Sequence, residues 1–400
     1  MKKLSKDQVK AIVGVYVCCM AIMSILVPVP ILAAIVAAFP DVSVTSIQMI
    51  VAIPSFAAIA GNFLFAKLAT KMYRRSCMLL GMGLYLFGLL PYFFHGSIIP
   101  AYIAALCSGL AMGGTQVVSG ALISDYFEGD SRGVLFGLCS LFVGIGGVIF
   151  MMIAGNMGAI AWYKAYLAYL AVVPMFLIEL LFMPKGNIEV AKEGAPRAKI
   201  SKTVLVIAAL TFVYFACNQV YSSNISLLLA ERSLGGTAEA GNVSSVNTLC
   251  GAIGGLFTLP FKKLCRKQSL SIAAVLAAVG SAVIFAAGGI PMVIVGTFLM
   301  AFMYAVYNPI GSQYVTEASN IANMSINLAV YQAAGSLGNF FSPIIFGAAT
   351  ASVGTSGSQF MAGAVVFAVV AVVSFAYYAK AKIEDGNSDV AVETAGNSVA

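Results

Sequence analysis

Charge is what this sequence has least of. Asp, Glu, Lys and Arg make up only 9% of its 400 residues, against 60% hydrophobic residues and a mean hydropathy of +0.96. So few charges cannot cover a water-soluble chain of this size with polar groups. Histidine occurs once, as His95, and one histidine cannot build a metal site. The eight cysteines form no CxxC or Cys/His cluster. Cys18, Cys19, Cys107, Cys139, Cys217 and Cys250 lie in apolar runs, and Cys77 and Cys265 lie beside basic loops, so neither a disulfide framework nor a metal site is expected. No cofactor is implied. No Ser/His, paired-Asp or metal-ligating constellation falls within an apolar run, so a membrane-embedded enzyme is not expected. The net charge of +7 comes from basic residues in short runs between apolar segments. That is a membrane-orientation pattern, not a nucleic-acid-binding one.

What is present in quantity is apolar run length. Crossing the hydrocarbon of a bilayer takes about 20 apolar residues in a helix, and only helices or closed barrels satisfy their backbone there. The runs show no strand-type alternation. They predict twelve spans, near 11–38, 45–66, 77–94, 98–123, 133–157, 164–184, 203–229, 241–260, 269–287, 291–315, 325–350 and 359–379. The first run is too long for a cleaved signal peptide and reads as an uncleaved span. Pro28 and Pro30 are expected to bend it.

With the amino terminus in the cytoplasm, 20 of the 22 basic residues fall on that side and only Lys164 and Arg232 on the other. The asymmetry supports both orientation and span number. It predicts a multi-pass inner (plasma) membrane protein with both termini cytoplasmic. The polar stretch 185–202 divides the spans six and six. The expected organisation is an N-terminal bundle over 1–184, a cytoplasmic linker over 185–202, a C-terminal bundle over 203–380 and a disordered cytoplasmic tail over 381–400.

The two halves resemble each other at an offset of 192 residues. Lys71, Arg74 and Arg75 fall on Lys263, Arg266 and Lys267, and Thr45 on Thr237. Gly88, Gly96, Gly146 and Gly155 fall on Gly280, Gly288, Gly338 and Gly347, Gln116 on Asn308, and Asp125 on Glu317. Parallel six-span repeats related by an axis along the membrane normal are one transporter architecture.

The loop after the second span reads Ala66-Lys67-Leu68-Ala69-Thr70-Lys71-Met72-Tyr73-Arg74-Arg75, and the segment after the fourth carries Asp125-Tyr126-Phe127, then Arg132-Gly133 and Gly137. These resemble the G-x-L-a-D-r-x-G-r-r and D-Y-F…R-G…G segments of the major facilitator superfamily, and the resemblance covers the whole chain. It implies an all-α membrane fold of twelve helices in two pseudo-symmetric six-helix bundles, working by rocker-switch alternating access. It also implies a cytoplasmic gate carried by Lys71, Arg74, Asp125 and Arg132. Ala66, Thr70 and Tyr73 replace the family's two glycines and aspartate, which weakens the charge network around that loop. Phe142-Val143-Gly144-Ile145-Gly146-Gly147 lacks the proline of the drug/proton antiporter motif.

Ionisable residues are nearly absent from the spans, and such residues are functional by default because burying them costs so much. Glu179, in span six, is the exception; its closeness to Lys185 favours snorkelling or pairing at the span end over a proton-carrier role. Without a buried cation or acid partner, the expected substrate is a small neutral or amphipathic organic solute. Neutral polar residues cluster in spans four, seven, ten and eleven. The candidate binding set is Thr115, Gln116, Asn218, Tyr221, Ser222, Tyr304, Tyr307, Asn308, Tyr331 and Gln332. Amides and hydroxyls also tie helices together, but in helices that line the cavity by resemblance the cluster favours solute contact. The expected partners are that solute, the lipid bilayer and a coupling ion of unknown kind, with the protein a monomer and no nucleic acid bound. Efflux of drugs or metabolites by proton antiport, or a non-transporting sensor of the same fold, are the alternatives.

Overall fold

In the computed structural model, residues 5–127, 129–186, 188, 202–319 and 324–380 are described, and these form helices and short connections with no strand among them. The expected tail at 381–400 and nearly all of the expected linker at 185–202 lie outside these residues. Twelve long rods follow in order: α1 Lys6–Ala38, α2 Val44–Ala69, α3 Arg74–Phe93, α4 Ile99–Tyr126, α5 Gly129–Gly158 and α6 Trp162–Phe182 in the N-terminal half. The C-terminal half holds α7 Lys202–Glu231, α8 Thr237–Leu256, α9 Ser269–Phe285, α10 Ile290–Glu317, α11 Met324–Ala349 and α12 Ser356–Lys380.

The ends of the rods follow from local chemistry. Ser5 caps α1 through a reciprocal box with Gln8, and Ser43 caps α2 by accepting from the Ser46 amide. Pro100 and Pro291 sit in the first turns of α4 and α10, where a missing N–H leaves no bond unmade. α1 is not one continuous α-helix. Around Pro28 and Pro30 it passes through 3₁₀ segments at Met23–Leu26 and Val29–Ile31 before an α-helical restart at Leu32. The prolines were expected to bend this span, and removal of the Pro30 N–H is the physical reason. After α8 the helix kinks at Phe257 into a short helix, Thr258–Cys265, and the chain reverses at Arg266 with a positive φ of 49°.

Nine of the rods are long and apolar enough to cross a membrane by themselves, and α9 is so together with the short helix before it, over Thr258–Phe285; α8 and α11 are more polar. Their placement accounts for this. α8 packs on α5 and α11 on α2, so both lie between the halves, where polar side chains find partners. The repeat predicted from sequence is visible in these contacts. At Gly155 in α5 a Cβ would stand 2.9 Å from the Thr237 carbonyl oxygen of α8, and at Gly347 in α11 one would stand 2.7 Å from Oγ1 of Thr45 in α2. Shifting the first pair by 192 residues gives the second. One pseudo-two-fold therefore relates the α5–α8 and α11–α2 contacts.

Candidate functional site

The rods have a basic end, where α2 meets α3 and α8 meets α9, and a far end, where α1 meets α2 and α7 meets α8. At the far end the halves are joined by neutral hydrogen bonds. The Gln48 side-chain amide of α2 donates to Oδ1 of Asn224 in α7 at 2.8 Å and to the Ser223 carbonyl at 3.2 Å. Asn224 in turn donates to Oε1 of Gln359 in α12 at 2.9 Å, and both Gln48 and Asn224 are fully buried. The break in α1 supplies a second joint. The Ser226 hydroxyl donates to the Pro30 carbonyl at 2.8 Å and accepts from the Ala33 amide at 3.3 Å. Ala33 lies in the first turn of the restarted helix, where amides lack an intrahelical partner. Gln219 adds a long contact to the Val51 carbonyl, 3.4 Å. Between described residues, the hydrogen bonds joining the halves lie toward the far end; the innermost is a long contact from the Ser245 hydroxyl of α8 to the Val148 carbonyl of α5, 3.5 Å, near the middle of both helices.

At the basic end two ion pairs between described residues each lie within one half. Arg74 Nε and Asp125 Oδ2 are 2.7 Å apart, bridging α3 and α4. Lys262 Nζ and Glu317 Oε1 are 2.9 Å apart, joining the helix after α8 to α10. Asp125 and Glu317 correspond under the repeat, but their cations do not: Lys262 stands at the place of Thr70, the position where the family pattern has its aspartate. Of the other expected gate residues, Lys71 is exposed, and the side chain of Arg132 lies outside the described residues.

The candidate binding residues fall into three environments. Gln116 and Gln332 are exposed, and Asn218, Ser222, Tyr304 and Asn308 are half-buried. In the C-terminal half Tyr304, Tyr307, Asn308 and Tyr331 come together: Tyr307 stacks on Tyr214 with centroids 3.7 Å apart, Tyr304 lies 4.9 Å from Phe215, and the Tyr331 hydroxyl donates to the Asn308 carbonyl at 3.1 Å. The Asn308 Oδ1 is buried without a donor among the described residues. Thr115 and Tyr221 lie apart from this cluster. Thr115 is buried against Tyr85 of α3, its hydroxyl donating to the Ala111 carbonyl. Tyr221 is buried with its hydroxyl 3.4 Å from the Val243 carbonyl and 3.5 Å from the Thr297 hydroxyl. It shares a helical face with Asn218 and Ser222 in sequence, but α8 and α10 cover it.

Glu179 departs from expectation. It neither snorkels nor pairs with Lys185. It is fully buried, and both carboxyl oxygens lack a hydrogen-bond partner among the described residues. A Cβ on Gly14 of α1 would stand 3.2 Å from its Oε2, so α1 is the wall that covers it.

Two pseudo-symmetric six-helix bundles, joined across a shared axis and clasped at one end, define the class of secondary transporters built from parallel repeats. The sequence profile of the Major Facilitator Superfamily matches residues 12–216 and 207–394, once in each half. The chain belongs to the major facilitator superfamily of transporters, as a multi-pass membrane protein. Among curated proteins no sequence matches it. Among solved structures it is similar to a POT family transporter in complex with 5-aminolevulinic acid (TM-score 0.76, 12% identity, 94% of this chain and 96% of that one). It is also similar to a nucleoside transporter (0.74, 13%, 92% and 99%). A third is a bacterial homologue of the human lysosomal transporter Spinster in an inward-facing, unoccupied conformation (0.72, 14%, 94% and 97%). At these identities the likeness is one of fold.

Proposed function

We propose that the chain is a secondary transporter of a small neutral or amphipathic organic solute, working by alternating access as residues 1–184 rock against residues 203–380. The observation that carries this reading is the one-sided clasp: Gln48, Asn224, Ser226 and Pro30 bind the halves together at the far end. Placing the basic end in the cytoplasm by the positive-inside rule puts this state inward-facing, with both ends of the chain on the cytoplasmic side of an inner membrane. The character of the solute follows from what meets it. Amides exposed in mid-span are unfavourable against lipid, so Gln116 and Gln332 fit a water-filled path better than an outer surface. The Tyr304–Phe215 rings and the Asn308 acceptor, without a donor among the described residues, suit a molecule with an apolar flank and an N–H or O–H donor.

A thermal-unfolding screen of purified protein against neutral, cationic and anionic metabolites tests this, because a ligand of the folded state raises apparent stability by mass action. Neutral or amphipathic compounds are expected to stabilise it, with the shift abolished in Gln116→Ala and in Asn308→Ala. Stabilisation by carboxylates or phosphates alone would overturn the assignment of solute class.

A further inference from the structure

The clasp and the solute site leave unused the short helix between α8 and α9, Thr258–Cys265, and the reversal after it. None of the eight residues of this helix is buried. Leu259 is 66% exposed and Leu264 82%, and Leu256 and Phe257 just before the helix are exposed as well. Lys262, Lys263, Arg266 and Lys267 stand among them. Apolar and basic side chains uncovered together on one short helix are the composition of an element that lies in a membrane interface.

Helix lengths place the segment. α8 has 20 residues and α9 has 17. At 1.5 Å per residue they rise about 30 and 26 Å, no more than the hydrocarbon thickness. The connection between them therefore falls at the headgroup level of the basic side.

The repeat shows what is particular to this half. In the N-terminal half α2 runs unbroken to Ala69, Arg74 is buried on Asp125, and the Arg75 guanidinium donates to the Leu180 carbonyl. In the C-terminal half Lys262 takes the acid of α10, Glu317, at 2.9 Å, and Arg266, the equivalent of Arg74, is exposed. Among the described residues the side chains of Lys263 and Arg266 have neither an ion pair nor a hydrogen bond. The turn that presents them is held in place: the Arg266 carbonyl accepts from the Tyr314 hydroxyl at 3.0 Å and from the Ser269 hydroxyl at 2.6 Å. Arg266 itself stands at φ 49°, a backbone that glycine adopts at less cost, so the turn does not call for an arginine.

We propose that residues 256–267 dock on the cytoplasmic leaflet and select anionic phospholipid there, Lys263 and Arg266 meeting the headgroup phosphate while Leu259 and Leu264 enter the acyl boundary. The acids Glu384, Asp385, Asp389 and Glu393 of the chain's own tail could meet the same cations, but they would leave both leucines in water, which favours the lipid. The proposal rests on the cytoplasmic placement of the basic end and not on rocking of the halves, so its failure would leave alternating access standing.

Native mass spectrometry of the full chain, titrated in detergent with phosphatidylglycerol or phosphatidylcholine, resolves individual bound lipids and tests this. The first phosphatidylglycerol is expected to bind more tightly than phosphatidylcholine. The double variant Lys263→Gln, Arg266→Gln is expected to weaken it by about 25-fold, at about fivefold for each cation near the headgroup, and the repeat-related Lys71→Gln to keep the wild-type affinity. No preference for phosphatidylglycerol, or an equal loss in Lys71→Gln, overturns the proposal. So does glycerol phosphate binding as tightly as phosphatidylglycerol, which would mark an anion site without acyl contact. A preference that appears only with Glu384→Gln, Asp385→Asn, Asp389→Asn and Glu393→Gln together would give the basic face to the tail and overturn it too. In nanodiscs containing phosphatidylglycerol, a non-cysteine spin label at position 264 is expected to meet dissolved oxygen more often than a water-soluble nickel chelate; the reverse order, on an otherwise wild-type chain, contradicts docking whatever the variants do.

Discussion

At the residue scale the far-end clasp is a chain of buried amides, and each link depends on the next. Removing the Asn224 side chain leaves the Gln48 amide with only the Ser223 carbonyl and the Gln359 oxygen without its donor, and an orphaned buried polar group costs about 1–3 kcal/mol. Asn224→Ala is therefore expected to move the closed-to-open ratio at the far end toward open by about fivefold or more, read as a lengthened distance between non-cysteine spin labels at positions 39 and 233, on opposite halves at the far end. Arg74→Ala makes a contrasting prediction. Asp125 has a side chain only 14% exposed and would lose the cation beside it. The expected loss is on the order of 3 kcal/mol of thermal stability, with the far-end distance unchanged because the pair lies within one half. The sequence showed part of this. Asn224 and Gln219 lie in the same polar run of span seven as the candidates Asn218, Tyr221 and Ser222, and that run reads equally as a solute site. Gln48 is a lone amide in an apolar run, and nothing in its spacing points to a partner 176 residues away.

At the scale of the element the interface between the halves is set by glycines. A Cβ on Gly155 would stand 2.8 Å from the Gly241 Cα, and one on Gly347 would press on Thr45. Overpacking a closed interface costs about 1–3 kcal/mol. Gly155→Leu and Gly347→Leu are expected to open the far end to a similar degree, being equivalent under the repeat. Gly96→Ala and Gly288→Ala, also repeat-related but with open space around them, are expected to leave the label distance unchanged. An effect at only one of Gly155 and Gly347 would contradict the symmetric interface. Element by element the helices were legible from hydropathy. α8 and α11 were read from apolar runs like the others, although they fall short of the apolarity of a lipid-crossing helix, because helices between two halves do not meet lipid all round. The kink after Leu256 was not legible: no proline marks it until Pro260, four residues on.

For the whole molecule, among the described residues, the halves are clasped by neutral groups and the Arg74–Asp125 and Lys262–Glu317 pairs each lie within one half. The far-closed population is therefore expected to be insensitive to ionic strength, since screening acts on charges; a strong salt dependence of the 39–233 distance would point to a charged gate instead. The same division explains what sequence conveyed at this scale. Charge asymmetry, the six-and-six division and the 192-residue offset gave the architecture because they are properties of the whole chain. The state of the gate depends on side-chain pairs brought together only by the packing of one half on the other.

The central claim is that the halves rock about a shared axis, and two distances measured together test it most directly. One pair of labels at positions 39 and 233 reports the far end, and a second at the repeat-related positions 71 and 263 reports the basic end. With the solute that most raises thermal stability, the first distance is expected to lengthen as the second shortens. Lengthening of one without change in the other, or movement of both in the same direction, would contradict the account.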